Sequence, residues 1–116
     1  MQAAVITFFL GLLTLISIAS CTTLVPRPNA AHLHWAESHW PGMQAEDLNR
    51  GRKLFITRCA GCHTLPAPDG FGPEEWPKRV KEMVDKAELS EKEGEDIERY
   101  LSSASAVARD SRELRD

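Results

Sequence analysis

Two of the three cysteines in this 116-residue chain lie three positions apart, in Cys59-Ala60-Gly61-Cys62-His63. Two thiols at that spacing, followed at once by an imidazole, have three chemical readings. A thiol–disulfide redox pair would need a βαβ setting, and the chain has no Val/Ile-rich strand runs to supply one. Half of a zinc site would need a second pair of ligands, but no second cysteine pair exists, and the other histidines, His32, His34 and His39, lie well upstream. The third reading uses the whole motif: each cysteine adds across one vinyl group of haem to give a thioether, and His63 binds the iron. Residues three and four apart share a helix face, so Cys59, Cys62 and His63 point towards one porphyrin. Ala60 and Gly61 are small enough to press against it. The free ring nitrogen of His63 should donate to a backbone carbonyl, near Pro66 or Pro68. The expected cofactor is therefore one covalently bound haem c.

A second axial ligand from methionine would raise the potential and suit one-electron transfer. Met1 is lost if the N-terminus is processed, and Met43 precedes the first expected helix. Met83 lies in a segment running from Glu74 to Ala87, where Pro77 is well placed near a helix start. There Trp76, Val80, Met83, Val84 and Ala87 share a face, which would present Met83 to the iron. The competing assignments are a core methionine, the commoner role of the residue, a bis-histidine iron completed by His32, His34 or His39, and an open five-coordinate iron.

The elements that must position these groups read as helices. Leu48, Gly51, Phe55 and Cys59 follow the spacing of one helix face. Gly51 costs such a helix about 1 kcal/mol relative to alanine, a cost that a close helix crossing would offset. Ser90-Glu91-Lys92-Glu93 is a capping box, opening a helix that presents Ile97, Tyr100 and Leu101. Gly51 and Phe55 packed against Ile97 and Tyr100 would make a tight crossing. Between them, Thr64 to Pro73 is a turn-rich loop. The expected fold is all-α.

This combination resembles the class I c-type cytochromes over roughly residues 45–104. In that family a glycine and a phenylalanine stand eight and four residues before the first haem cysteine, as Gly51 and Phe55 do here, and the helix they belong to crosses a C-terminal helix bearing an aromatic. The sequence Cys-x-x-Cys-His-x-Leu-Pro-x-Pro, then Trp-Pro-x-x-Val-x-x-Met, then Leu-Ser-x-x-Glu is similar to a compact monohaem bacterial subgroup whose methionine ligand sits on the middle helix. The resemblance implies a small cytochrome c-like helical domain wrapped around one haem, with Cys59, Cys62, His63 and Met83 holding the haem and its iron.

Residues ahead of Arg27 carry no charge, so all 14 basic and 17 acidic side chains lie from Arg27 onward. The apolar run from Val5 to Ala19 reads as an export signal, and Ile18-Ala19-Ser20-Cys21 resembles the lipobox of bacterial lipoproteins. That resemblance implies cleavage before Cys21 and lipidation of it, with several acyl chains making a stable anchor. The alternative is an uncleaved membrane-spanning segment, since about 20 apolar residues can cross a bilayer. Either places the rest of the chain in the periplasm or cell envelope, and Thr22 after the cysteine leans towards the outer membrane. The expected organisation is thus a signal peptide over 1–20, a Pro- and His-containing tether over 21–44, the haem domain over 45–104 and a charged tail over 105–116. Along the tether Pro26, Pro28 and Pro41 argue against regular structure. Its histidines could bind a metal, but they more simply face water.

The formal net charge of -3 argues against a nucleic-acid partner, which would need a basic patch. The expected function is one-electron transfer, with no enzymatic turnover and no small-molecule substrate. The partners would be redox proteins: a membrane oxidoreductase, a terminal oxidase or a periplasmic reductase. Arg52, Lys53, Arg58, Lys78, Arg79 and Lys81 could form a docking patch, although Glu74, Glu75 and Glu82 are interleaved with them. The rival is a haem sensor, small-ligand binder or peroxidase-like protein with an open iron.

Overall fold

A computed structural model describes residues 25–60 and 64–116. The expected signal peptide, Cys21, Cys62 and His63 lie outside the described residues. Among those residues the chain is all-helical, with four α-helices and no strand. Helix α1 spans Ala30–His39, α2 Ala45–Leu54, α3 Trp76–Val84 and α4 Glu91–Glu113.

The crossing of α2 and α4 is the most extensive contact between elements, and Gly51 makes it possible. A Cβ on Gly51 would fall inside the van der Waals shell of the Asp96 backbone carbonyl and 2.9 Å from the Tyr100 Cβ. Only a residue with no side chain lets the two backbones come so close. One turn further on, Phe55 packs against Tyr100 with ring centroids 6.4 Å apart. Phe55, Ile97, Tyr100, Leu101 and Ala104 are buried in one cluster, which Trp76 and Val80 of α3 complete from the other side. A second close approach joins α4 to α3, where a Cβ on Gly94 would lie 2.9 Å from the Val84 Cγ2.

The expected capping box opens α4: the Glu93 carboxylate accepts the Ser90 backbone N–H at 2.8 Å, and the Ser90 Oγ accepts the Glu93 N–H at 3.2 Å. At the crossing, Asp96 is buried between two cations. It accepts from the Arg50 Nε at 2.6 Å and pairs with Lys92. Burial alone would raise its pKa, but the hydrogen bonds from Arg50 and Lys92 outweigh it and hold the carboxyl below the usual aspartate value. Both cations remain partly in water, so one buried carboxylate ties α2 to the first turns of α4 without burying a second charge.

Two expectations change here. The stretch 22–44 contains α1, a regular ten-residue helix, in place of an irregular tether. Its prolines bracket the helix instead of blocking it. Pro28 precedes the N-cap Asn29, whose side chain accepts from the backbone N–H of Ala31 and His32. Pro41 follows Trp40 at the other end, and Gly42, at φ 89°, turns the chain into α2. Helix α1 packs on α4 and buries Ala36 with Met43 and Leu48 in a smaller second core. His32 is buried as well, its Nδ1 accepting the Asn29 N–H at 3.1 Å, so it does not face water as expected. Burial pushes its pKa below the usual 6.5. The second change concerns the charged tail from residue 105. Helix α4 runs through that boundary to Glu113, the Ser105 Oγ donates to the Phe71 carbonyl at 2.5 Å, and Arg112 pairs with Asp69.

Replacing Gly51 with alanine should destabilise the protein by about 3 kcal/mol, the upper part of the usual overpacking cost, although alanine is the better helix former by about 1 kcal/mol. Denaturant titration of the two proteins measures this. The acid limb of stability should have two parts. The depressed groups, His32 and the carboxylates Asp47, Glu93 and Asp96, lend stability that is complete above their unfolded values and is lost as protons bind in the folded state. Thermal midpoints followed downward in pH should therefore begin to fall below 6.5, as His32 is forced to charge in a buried site, and fall further below 4.5 as Glu93, Asp47 and Asp96 are neutralised. His32→Gln should flatten the first part and leave the second.

Candidate haem site

Helix α2 does not stop cleanly at Leu54. Phe55–Cys59 continues it as one π-helical turn. A wider turn of this kind rotates the residues beyond it relative to a straight α-helix, and such turns recur at functional sites. Cys59 sits at its end, half-buried against the main core. The chain is described again from Thr64, along a loop that passes through a short 3-10 turn, Pro68–Gly70, and leads to α3.

The loop and α3 hold each other in place through Trp76. Its ring is buried, and its indole N–H donates to the Pro68 carbonyl at 2.7 Å. Pro68 is one of the two regions expected to receive His63, and that carbonyl is engaged here by Trp76. Phe71 meets Trp76 edge-on, with centroids 5.1 Å apart at 89°, and the Arg79 guanidinium lies 3.5 Å over the other ring's centroid, that of Phe71. Such a cation–π contact orients the arginine along the loop.

The far end of α3 is also fixed. The Leu89 N–H bonds the Val84 carbonyl at 2.9 Å and the Glu88 N–H bonds the Asp85 carbonyl at 3.2 Å. This is the Schellman arrangement, which needs a left-handed residue at its turn. Glu88 takes that conformation at φ 52°, although glycine would adopt it more readily. Arg58, immediately before Cys59, reaches across and donates to the Ala87 and Glu88 carbonyls at 3.2 and 2.9 Å. The side chain next to the first motif cysteine thus holds the end of the helix that carries Met83.

Between these elements lies a cavity of about 540 Å³, within the usual range of roughly 300–1,000 Å³ for ligand and cofactor sites. Phe55, Phe71, Trp76, Val80, Leu89, Ile97 and Leu101 make its walls mainly apolar. Cys59 and Met83 both line it. Met83 is 37% exposed, so it does not have the surroundings of a core methionine: its thioether borders the cavity. Met43 is buried in the second core beside Ala36 and Leu48, away from the cavity. None of His32, His34 and His39 lines the cavity either; all three sit on α1. Nor do three or more His, Cys, Asp or Glu side chains gather into a metal-binding group among the described residues.

Of the six cations expected to form a docking patch, Arg58 and Arg79 line the cavity, together with Lys86. Arg52 is turned away to other partners: its Nε donates to the Val25 and Pro26 carbonyls, both at 3.2 Å. Sequence reasoning missed the Trp76–Pro68 bond and the role of Arg58. Both depend on backbone carbonyls, which every residue carries and no side-chain pattern marks. Leu89 was missed because it follows the face that ends at Ala87, and Lys86 because it does not belong to that face.

Comparison with known proteins gives one partial likeness. Cytochrome c of Cochliobolus lunatus is 51% identical over 35 residues, which cover 28% of this chain. The likeness is to cytochrome c, and it is local. The chain spans 32% of that relative's length in the match. No family model matches the chain, and no solved structure does so. A cytochrome c-like relationship agrees with the all-helical fold and with a cavity opening beside Cys59.

Proposed function

We propose that this protein is an exported, membrane-anchored monohaem c-type cytochrome that carries single electrons between redox proteins. The observation that supports it best is the convergence of Cys59 and Met83, 24 positions apart in sequence, on one apolar cavity of cofactor size. When bound, haem supplies an iron that alternates between the ferrous and ferric states. Cys59 and Cys62 would hold it through thioethers, and His63 and Met83 would bind its iron. Arg58, Arg79 and Lys86 place cations along the cavity, where they can neutralise the haem carboxylates.

The rest of the chain's contribution is rigidity and dryness. Trp76, held by Pro68, and the turn after α3, held by Arg58, keep the Met83 helix from moving relative to Cys59. Fixed ligands leave little to rearrange when an electron arrives or departs. The mainly apolar walls would limit water around a bound haem, a setting suited to a thioether ligand. Export and anchoring rest on the apolar run before Cys21. No helix long and apolar enough to cross a membrane occurs among the described residues, and the run itself lies outside them. The partners fitting this reading are redox proteins of the cell envelope: a membrane oxidoreductase, an oxidase or a periplasmic reductase.

Met83→Ala in the haem-loaded protein tests the reading. The variant should keep its covalent haem, show a lower reduction potential and bind carbon monoxide stoichiometrically in the ferrous state, whereas the parent protein should bind none. A parent protein that binds carbon monoxide as readily as the variant would point instead to an open-iron sensor or ligand binder.

A further inference from the structure

The chain between the proposed anchor and the haem domain is far shorter than the 24 residues of the expected tether, because its beginning is fastened to the domain. Val25 is buried in the main core cluster with Phe55 and Tyr100. The Arg52 Nε and Nη2 donate to the Val25 carbonyl at 3.2 and 3.1 Å. The Pro26 carbonyl accepts from the Arg52 Nε at 3.2 Å and from the Tyr100 hydroxyl at 2.7 Å. Burial pushes the Tyr100 phenol well above its usual pKa, so it remains a donor across the physiological range. Arg52 of α2 therefore grips both carbonyls, and Tyr100 of α4 grips the second of them. Proline at 26 helps, since it has no N–H of its own to satisfy and a restricted backbone.

We infer that Val25–Pro26 is a clamp that holds the haem domain directly against a lipid surface in a fixed orientation. The inference rests on the proposed anchoring and extends it. Only four peptide steps separate Cys21 from Val25, a reach of at most about 14 Å. A lipidated Cys21 and an uncleaved apolar segment ending near Ser20 give the same constraint. The face around the clamp also has the charge suited to lipid headgroups. Arg27, the first charged residue of the chain, follows Pro26 directly and is exposed. Basic residues just beyond an apolar segment favour anionic headgroups. The side of the domain bearing Pro26 and Arg27 would lie on the bilayer, and redox partners would meet the domain on its other sides.

The test uses full-length haem-loaded protein in phosphatidylethanolamine–phosphatidylglycerol bilayers, first floated as vesicles and then spread as oriented films for polarised infrared spectroscopy of the amide band. Helix α4, the longest, should dominate the dichroism. The parent protein should float with the vesicles and show a polarisation-dependent amide band. Inserting ten Gly/Ser residues between Thr22 and Thr23 should abolish the domain's share of that dependence while flotation and thermal midpoint stay unchanged. Arg52→Gln should weaken the dependence in the same direction. Equal dichroism in parent and insertion variant, or none in a parent that floats, would overturn the clamp and leave anchoring intact. A parent that fails to float would overturn the anchoring itself, and the clamp with it.

Discussion

The approach of α2 to α4 at Gly51 is the constraint on which the other features depend. With no Cβ in the way, the backbone of one helix meets the carbonyl of Asp96 on the other, and the two axes are locked by a buried carboxylate between Arg50 and Lys92. From that crossing the chain runs in fixed directions. Cys59 is carried to the end of α2 by a π-helical turn, α4 forms the cavity floor with Ile97 and Leu101, and Val25–Pro26 is fastened across the Arg52–Tyr100 pair. A bulkier residue at Gly51 would disturb all three at once.

The cavity beside this crossing explains why so small a protein has the composition it has. A folded part of about 60–90 residues buries only some 60–65% of its chain surface, and here one side of the buried cluster borders open space. Phe71, Trp76, Val80 and Leu89 face a space of about 540 Å³. A covalently held apolar disc of that order would complete the core. It would also turn Met83, too exposed to serve as core, into a group with a defined use.

Much of this arrangement was legible in the residues. Gly51 stood out because glycine inside a helical stripe is costly without a close neighbour, and Ser90–Glu93 because a capping box is a local device with a strict spacing. Trp76, Val80 and Met83 shared one helix face behind a helix-starting Pro77, and the structure gives that face a helix and a cavity. The parts that were hidden depended on distant backbone atoms. Arg52, Arg58 and Trp76 all end on carbonyls 8 to 30 residues away in sequence, and nothing in a side-chain pattern signals such partners. Helix α1 was hidden for another reason: three prolines suggested irregular chain, although two of them punctuate the ends of a helix capped by Asn29.

Haem as the missing part of the core is tested most directly by near-ultraviolet circular dichroism of the Cys59→Ala/Cys62→Ala double variant during heating. The expected result is a weak aromatic signal and a broad, non-cooperative loss of structure, because Trp76, Phe71 and Phe55 would border an unfilled cavity. A strong aromatic signal with a sharp transition like that of the haem-loaded protein would contradict it.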